Sequence, residues 1–206
     1  VSAITGYIAD GNQPYRGCTL LPDGRVFTAP CTATDGKGRV YDPSTGIVTA
    51  TTAVFPINSG NAGYRRRYGN CILLPDGRVL LVPYDNQFVS YWDPVTDTTT
   101  LGANIDPVFR VSGRYSSCVL APDGKNVYFV LGSVGSFSNT GVTVYDTSND
   151  TFTTISVIAS ETNGGITIMD SGQLFAPGTT TPSAIIGSPI VGIPPARTLN
   201  TYDTGR

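Results

Sequence analysis

Short apolar segments alternate with polar turns along the whole chain, and one such unit occurs four times. Each copy has an apolar segment, a turn centred on Asp and Gly, and a second apolar segment. The copies cover residues 18–26, 71–79, 118–127 and, more weakly, 165–174. Counted from the Cys that begins the first three copies, and from Gly165 in the fourth, the steps are 53, 47 and 47 residues. A period near fifty residues predicts a repeat architecture.

The Pro-Asp-Gly turn predicts a β-hairpin in each copy. Pro22 suits the first corner of a type I turn, Asp23 tolerates the second, and Gly24 supplies the positive φ that follows. A type I turn followed by a G1 bulge is a common short hairpin connection. The first strand is therefore predicted over residues 18–21. The strands after the turn are predicted over residues 25–29, 78–82, 126–131 and 173–176.

A second strand pair follows in each repeat, around a turn that begins with an aromatic residue and Asp. This pattern covers residues 38–50, 89–100 and 142–154. Its last strand is rich in Thr, which is typical of a solvent-side strand. The outer strands are predicted over residues 47–50, 98–101 and 151–155. In the fourth repeat the signature is missing, and the second hairpin is predicted over residues 183–186 and 190–193.

Four strands per repeat of about fifty residues predict an all-β fold, a β-propeller of four four-stranded blades. We expect one domain over residues 1–206, with repeats at about 14–55, 64–105, 112–157 and 162–193 and a tail at 194–206. Residues 2–8 are a candidate strand that completes the last blade. Either the ring closes at four blades or the chain is part of a larger one. The start at Val1 is expected of a processed, tagged or partial chain.

Charge and residue usage exclude several function classes. The net charge of −2 and the pI of about 4.9 argue against a nucleic-acid partner. No apolar run is long enough to predict a membrane span, and no signal peptide is visible. The chain has no His, which removes Ser-His-Asp and Cys-His catalysis and His-based metal sites. With Glu161 as the only Glu, we expect no catalytic residue, no metal and no cofactor, and hence no enzyme.

The turn aspartates allow a second interpretation, as Ca²⁺ ligands or acid catalysts. One Asp per turn offers too few oxygens for Ca²⁺, so turn chemistry is favoured. A hydrolase with paired carboxylates would need two of them brought together from different repeats. The residues concerned are Asp23, Asp76 and Asp123, and then Asp42, Asp93 and Asp146.

The four cysteines are predicted to be free thiols. Three of them occupy one repeat position, and equivalent positions on neighbouring blades stay apart. We therefore expect all four to act as small buried hydrophobic residues. They are Cys18, Cys31, Cys71 and Cys118.

Loops rich in Gly, Asn and Pro precede each repeat, over residues 10–14, 56–63 and 106–113. Connections of this kind open on one face, which is the natural binding surface. Trp92 is a candidate platform on which a sugar ring could stack. Blade-to-blade packing is favoured for it, because Trp92 takes the repeat position of Tyr41 and Tyr145. For the Arg run at residues 65–67, a solvated loop between strands is the favoured interpretation. The candidate ligand-binding residues are Tyr84, Tyr64, Arg65, Arg66, Arg67 and Trp92.

Taken together, these segments resemble kelch-like propeller repeats. The resemblance rests on Leu-Pro-Asp-Gly-Arg-Val, on the Val-Pro-Tyr that ends at Tyr84, and on the Tyr/Trp-Asp-Pro turns with Thr-rich strands. More narrowly, the repeats are similar to those of bacteriophage virion proteins, in spikes, tail fibres and other surface parts. Ala-Pro or Val-Pro replaces the Gly-Gly of ordinary kelch repeats at three places, which argues against ordinary kelch functions. Galactose oxidase is similar locally, but its copper site needs two His ligands.

The resemblance implies a non-enzymatic virion surface protein that binds a host receptor or glycan, or that builds the spike or fibre. Its implied partners are other virion proteins and a host cell-surface glycan or receptor, with a homo-oligomer as one arrangement. No nucleic acid and no membrane insertion are expected. Two alternatives remain, a secreted bacterial propeller lectin and a purely architectural virion module.

Overall fold

A computed structural model describes residues 15–57, 67–105, 115–131, 141–156, 166–169, 173–176 and 184–186. These residues form strands, turns and loops. No helix in this part of the chain could cross a membrane. The strands are β1 Tyr15–Leu20, β2 Val26–Pro30, β3 Lys37–Asp42, β4 Ile47–Val54, β5 Tyr68–Leu73, β6 Val79–Pro83, β7 Phe88–Asp93, β8 Thr98–Asn104, β9 Tyr115–Leu120, β10 Asn126–Leu131, β11 Gly141–Asp146, β12 Thr151–Ser156, β13 Thr167–Ile168, β14 Leu174–Ala176 and β15 Ala184–Ile186.

The strands form four antiparallel sheets in chain order, which confirms the all-β propeller-type fold. Sheet 1 (β1–β4), sheet 2 (β5–β8) and sheet 3 (β9–β12) each have four strands, and sheet 4 has three described strands (β13–β15). Each sheet is a simple meander, so each repeat of the sequence is one sheet. The candidate strands at residues 2–8 and 190–193 and the tail at 194–206 lie outside the described residues.

The Pro-Asp-Gly hairpins have the predicted geometry. Gly24 has a φ of 86°, and its N–H donates to the Leu21 carbonyl at 3.0 Å. Asp23 accepts a hydrogen bond from the Arg25 N–H at 3.0 Å and forms an ion pair with its guanidinium at 2.7 Å. The second repeat copies this arrangement with Asp76 and Arg78. The turn therefore fixes where the chain reverses direction in each Pro-Asp-Gly hairpin.

Successive side chains of each strand point to opposite sides of the sheet, and apolar residues on both sides give each sheet two apolar faces. The leading face contacts the sheet before it in the chain, and the trailing face contacts the sheet after it. Between sheets 1 and 2, Leu21, Phe27 and Val40 on the trailing face meet Leu81 and Trp92 on the leading face. The next interfaces repeat this register, with Leu80 and Tyr91 against Phe129 and Tyr145, and then with Tyr128 against Leu174.

The fourth repeat starts one residue later than the sequence predicts. The N–H of Met169 donates to the Gln173 carbonyl at 2.8 Å, as the N–H of Leu21 does to Arg25. This pair makes Ile166, not Gly165, the equivalent of the repeated Cys. Ile166 is buried in the interface with sheet 3, a position that Gly could not fill.

The outer strands β4 and β8 are longer than predicted because each contains a bulge. In sheet 1, residues 51–53 have no ladder partner between the pairs Arg39–Ala50 and Lys37–Val54. Residues 102–103 form the corresponding bulge in sheet 2. The ladder between β11 and β12 is regular. A bulge turns backbone N–H groups out of the ladder, where another group can bind them.

Aspartates of the following sheet bind these N–H groups. Asp97 of sheet 2 accepts hydrogen bonds from the N–H and the hydroxyl of Thr52, both at 2.6 Å, and from the Trp92 indole at 2.8 Å. In sheet 3, Asp150 accepts hydrogen bonds from the Ala103 N–H and the Tyr145 hydroxyl. We call each arrangement a clasp, since it ties one sheet to the bulged strand of the sheet before it.

Candidate binding surface

The ends of the strands lie along two opposite sides of the sheets, here called edges, and the two edges carry different connections. The turn edge carries the Pro-Asp-Gly and Asp-initiated turns. The loop edge carries the β2–β3 loop at residues 31–36, the β6–β7 loop at 84–87 and the beginnings of β1 and β5. The predicted binding loops connect strands that end and begin at the loop edge, but most of their residues, including Tyr64, Arg65 and Arg66, lie outside the described residues.

Arg67 joins the loops of two sheets through its backbone. Its N–H donates to the Cys31 carbonyl at 2.9 Å, and its carbonyl accepts from the Tyr84 N–H at 3.0 Å. Its side chain is only 7% exposed and donates from Nη1 to the Ala33 carbonyl. Burial lowers the pKa of Arg67, and Asp35 opposes that shift. Arg67 is therefore a buried support for the loop edge and not an exposed contact.

The backbone hydrogen bonds of Arg67 connect Tyr84 of sheet 2 with Cys31 of sheet 1, so Tyr84 lies beside sheet 1. The Arg16 guanidinium of β1 is 4.7 Å from the centroid of the Tyr84 ring, so a cation–π pair spans the first two sheets. Both side chains are half-buried. The pair offers a charged donor with several N–H groups and an aromatic surface at one point, which suits contacts with the hydroxyl or carboxylate groups of a ligand.

A second cluster lies at the loop edge of sheet 1. Arg39 is 3% exposed, forms an ion pair with Asp35 at 2.7 Å and stacks over the Tyr15 ring. Burial would raise the pKa of Asp35, but hydrogen bonds from Lys37 and Arg39 outweigh it and the pKa is lowered. These contacts hold the β2–β3 loop against the sheet.

Trp92 is not at the surface. It is 2% exposed, and its ring stacks on Phe27 of sheet 1 with centroids 4.3 Å apart. Its indole N–H is occupied by the clasp with Asp97. Its environment is therefore the sheet-to-sheet interface, because the ring packs in the apolar cluster between sheets 1 and 2 and its polar group already has a partner.

Charge is divided unequally between the two edges. Among the described residues, the loop edge has four cations and two aspartates, whereas the turn edge has eight aspartates and three cations. The loop-edge cations are Arg16, Lys37, Arg39 and Arg67, and the turn-edge aspartates are Asp23, Asp42, Asp76, Asp93, Asp97, Asp123, Asp146 and Asp150.

The turn-edge aspartates act within their own turns or in the clasps. Asp42, Asp93 and Asp146 each accept a backbone N–H two residues later at 2.8 Å. Where the chain is described, no group of three or more Cys, Asp or Glu side chains could hold a metal ion.

All four cysteines are free, but their environments differ from one another. Cys31 and Cys71 are buried, and Cys118 is half-buried. Cys18 is exposed, contrary to the prediction that all four are buried. The reason is that the leading face of sheet 1 has no described sheet packed on it.

No protein-family model and no curated protein matches the chain. Solved structures match it in fold. Hydrazine synthase of Kuenenia stuttgartiensis aligns with a TM-score of 0.59 at 19% identity, over 85% of this chain and 45% of that one. A catalytically inactive His-to-Ala variant of virginiamycin B lyase from Staphylococcus aureus, with quinupristin, aligns with a TM-score of 0.56 at 12% identity, over 86% and 57%.

The extracellular domain of a putative one-component system from Bacteroides thetaiotaomicron also aligns, with a TM-score of 0.57 at 14% identity, over 84% of this chain and 21% of that one. This chain therefore spans about half of each of the first two structures and 21% of the third. The similarity includes enzymes, and at these identities it covers the fold alone: the chain has a β-propeller-type fold.

Proposed function

We propose that this chain is a non-catalytic component of a phage virion surface whose loop edge contacts a host cell-surface glycan or receptor. The observation that carries the binding role is the Arg16–Tyr84 pair on the loop edge. It lies on two sheets that are tied together by the Asp97 clasp and by the backbone of Arg67. A contact surface held in place in this way loses little conformational entropy when it binds.

Residue chemistry supports a binding role over catalysis. The lyase variant that aligns with this chain is named as inactive after a His-to-Ala change, and this chain has no His at all. The described turn-edge aspartates are engaged in turns, ion pairs and clasps, and Asp35 is paired with Arg39. A propeller of this composition can still position polar and aromatic groups for recognition.

The virion location rests on the resemblance of the repeated segments to phage propeller repeats. In this proposal the loop edge, which carries the Arg16–Tyr84 pair, faces the host, and other virion proteins cover the remaining surface. A secreted lectin would bind glycans without belonging to a particle. An architectural module would belong to a particle without binding glycans.

Two measurements test the proposal. Mass spectrometry of purified phage particles should find the chain, and an array of bacterial surface glycans should show binding. Absence from particles together with glycan binding would replace the virion role with the lectin. Presence in particles with no binding to glycans or host cells would leave only the architectural role.

A further inference from the structure

The Arg16–Tyr84 pair presents a positive charge at the loop edge. The guanidinium lies 4.7 Å from the ring centroid, and both side chains are half-buried. A guanidinium has five N–H donors and no acceptor, so it can keep contacts within the protein and still donate to a ligand. The hydrogen bonds that it forms with negatively charged oxygens are about twice as strong as those between neutral groups. The pair is therefore better suited to an anionic group than to a neutral hydroxyl.

The described carboxylates of the loop edge are turned to contacts inside the protein. Asp35 forms an ion pair with Arg39 at 2.7 Å and accepts a hydrogen bond from the Lys37 N–H at 3.0 Å. Asp85 is only 4% exposed. These two are the carboxylates that the structure describes at this edge. Neither offers an exposed acceptor that would compete with a ligand for Arg16.

A second cation lies where sheets 1 and 2 meet at the loop edge. The backbone of Arg67 binds Cys31 of sheet 1 and Tyr84 of sheet 2, and its side chain is 7% exposed. Among the described residues, its Nε has no hydrogen-bond partner and no carboxylate lies within ion-pair distance of its guanidinium. Asp35 acts on it electrostatically but is already paired with Arg39. Because buried charges are screened less than exposed ones, Arg67 makes this junction more attractive to an anion.

The loop that carries Tyr84 is fixed by further hydrogen bonds. Asn86 donates from Nδ2 to the Pro56 carbonyl at 3.2 Å, and the Ile105 N–H donates to the Gln87 carbonyl at 2.6 Å. The aromatic ring is thus held in place before a ligand arrives. A recognition group that is already ordered loses little conformational entropy on binding, so the charge of the pair can be used for selectivity.

Given the proposed function, on which this step rests, we propose that the ligand of the loop edge is an acidic saccharide whose carboxylate or phosphate binds the Arg16 guanidinium beside Tyr84. The planar N–H groups of Arg match two oxygens of either anion. Tyr84 holds the guanidinium from the side of its ring. Arg67 strengthens the attraction from within the protein and does not contact the ligand.

Binding of matched saccharides to the full chain tests the proposal. The probes are an oligogalacturonide with its carboxyl-reduced form, and a phosphorylated oligomannoside with its dephosphorylated form, added to the array of bacterial surface glycans. We expect acidic glycans to bind at least tenfold more tightly than their neutral counterparts, with an affinity that falls as the salt concentration rises. The two matched pairs separate a carboxylate from a phosphate. This comparison uses the parent protein and does not depend on the folding of any variant.

Variants locate the preference. Arg16→Gln should remove it, and Arg16→Lys should keep part of it, because Lys retains the charge but loses the planar N–H groups. Arg78→Gln is the matched control and should not change it. Arg78 also lies over a tyrosine ring, 4.5 Å from the centroid of Tyr91, but on the turn edge and in an ion pair with Asp76.

The outcomes distinguish this inference from the proposed function. Neutral glycans that bind as tightly as acidic ones would overturn the inference and leave the binding role in place. A preference for acidic glycans that survives in Arg16→Gln would also overturn it, as would binding to host cells without binding to any acidic glycan. Absence of binding to both glycans and host cells would overturn the binding role and the inference together.

Discussion

The carboxylate of Asp97 in the second sheet accepts two hydrogen bonds from Thr52 in the first, one from the backbone N–H and one from the hydroxyl, each at 2.6 Å. Asp97 has a φ of 50°, a conformation that most residues other than Gly avoid. The contact ties the turn of one sheet to the bulge of its neighbour. Asp150 and Ala103 repeat it one sheet later.

Replacing Asp97 should therefore weaken the contact between sheets 1 and 2. Asp97→Asn keeps the shape and tolerates positive φ, but its NH₂ group replaces one of the two carboxylate oxygens, so it cannot accept hydrogen bonds from both Thr52 and Trp92. We expect a loss of about 1–2 kcal/mol in the free energy of unfolding, measured by urea denaturation. In a double-mutant cycle with Thr52→Val, the two losses should not add. Strict additivity would mean that the clasp contributes nothing as a pair.

The Pro-Asp-Gly hairpins could be predicted from sequence because the residues that determine them lie within the turn itself. Pro22, Asp23 and Gly24 specify their own turn, and the same three residue types recur in the second and third repeats. The clasp could not be predicted, because Asp97 and Thr52 are 45 residues apart and the sequence shows only an Asp where another repeat has Gly46. The exposure of Cys18 was also missed, since a repeated motif does not show which copy lacks a neighbour.

The candidate binding residues also divide into those whose position follows from the repeat pattern and those whose position depends on contacts between sheets. A repeat-based alignment could place Trp92 with Tyr41 and Tyr145, which favours packing, and the structure puts it between two sheets. The pairing of Arg16 with Tyr84 depends on how two sheets lie side by side, and nothing in the sequence around either residue indicates it. The burial of Arg67 has the same origin.

Acid should weaken the clasp. Burial would raise the pKa of Asp97, but the hydrogen bonds from Thr52 and Trp92 outweigh it and lower the pKa below its ordinary value. A lowered folded-state pKa gives stability that is present above the unfolded pKa of about 3.9 and is lost as the pH falls through the folded value. The stability difference between the parent and Asp97→Asn should thus shrink below about pH 4. A difference that stays constant down to pH 2 would contradict this assignment.

Trp92 should matter for stability and not for binding. Trp92→Phe keeps an aromatic ring against Phe27 but loses volume and the hydrogen bond to Asp97. We expect a loss of about 1–3 kcal/mol in the free energy of unfolding, with unchanged affinity for any glycan that the parent binds. If glycan binding disappears while thermal stability is retained, Trp92 is a ligand contact and its buried position is misassigned.

The thiols should react at different rates. Under denaturing, non-reducing conditions, titration should find four reactive groups. In the native protein Cys71 and Cys118 should be slow, because burial raises the pKa of Cys71 strongly and that of Cys118 to about 12. Buried Cys31 should be slow as well. Cys18, which is exposed, should react fast. Fewer than four groups after denaturation would reveal a disulfide.

The most direct test of the binding role compares one Arg on each edge of the sheets. Arg16→Ala removes the cation over Tyr84, whereas Arg25→Ala removes an exposed turn-edge cation paired with Asp23. Both variants should keep their stability within about 1 kcal/mol of the parent. In binding of the labelled protein to host cells or to a glycan found on the array, Arg16→Ala should reduce affinity at least tenfold and Arg25→Ala should not change it. Equal affinities for the parent and both variants would contradict a loop-edge binding site.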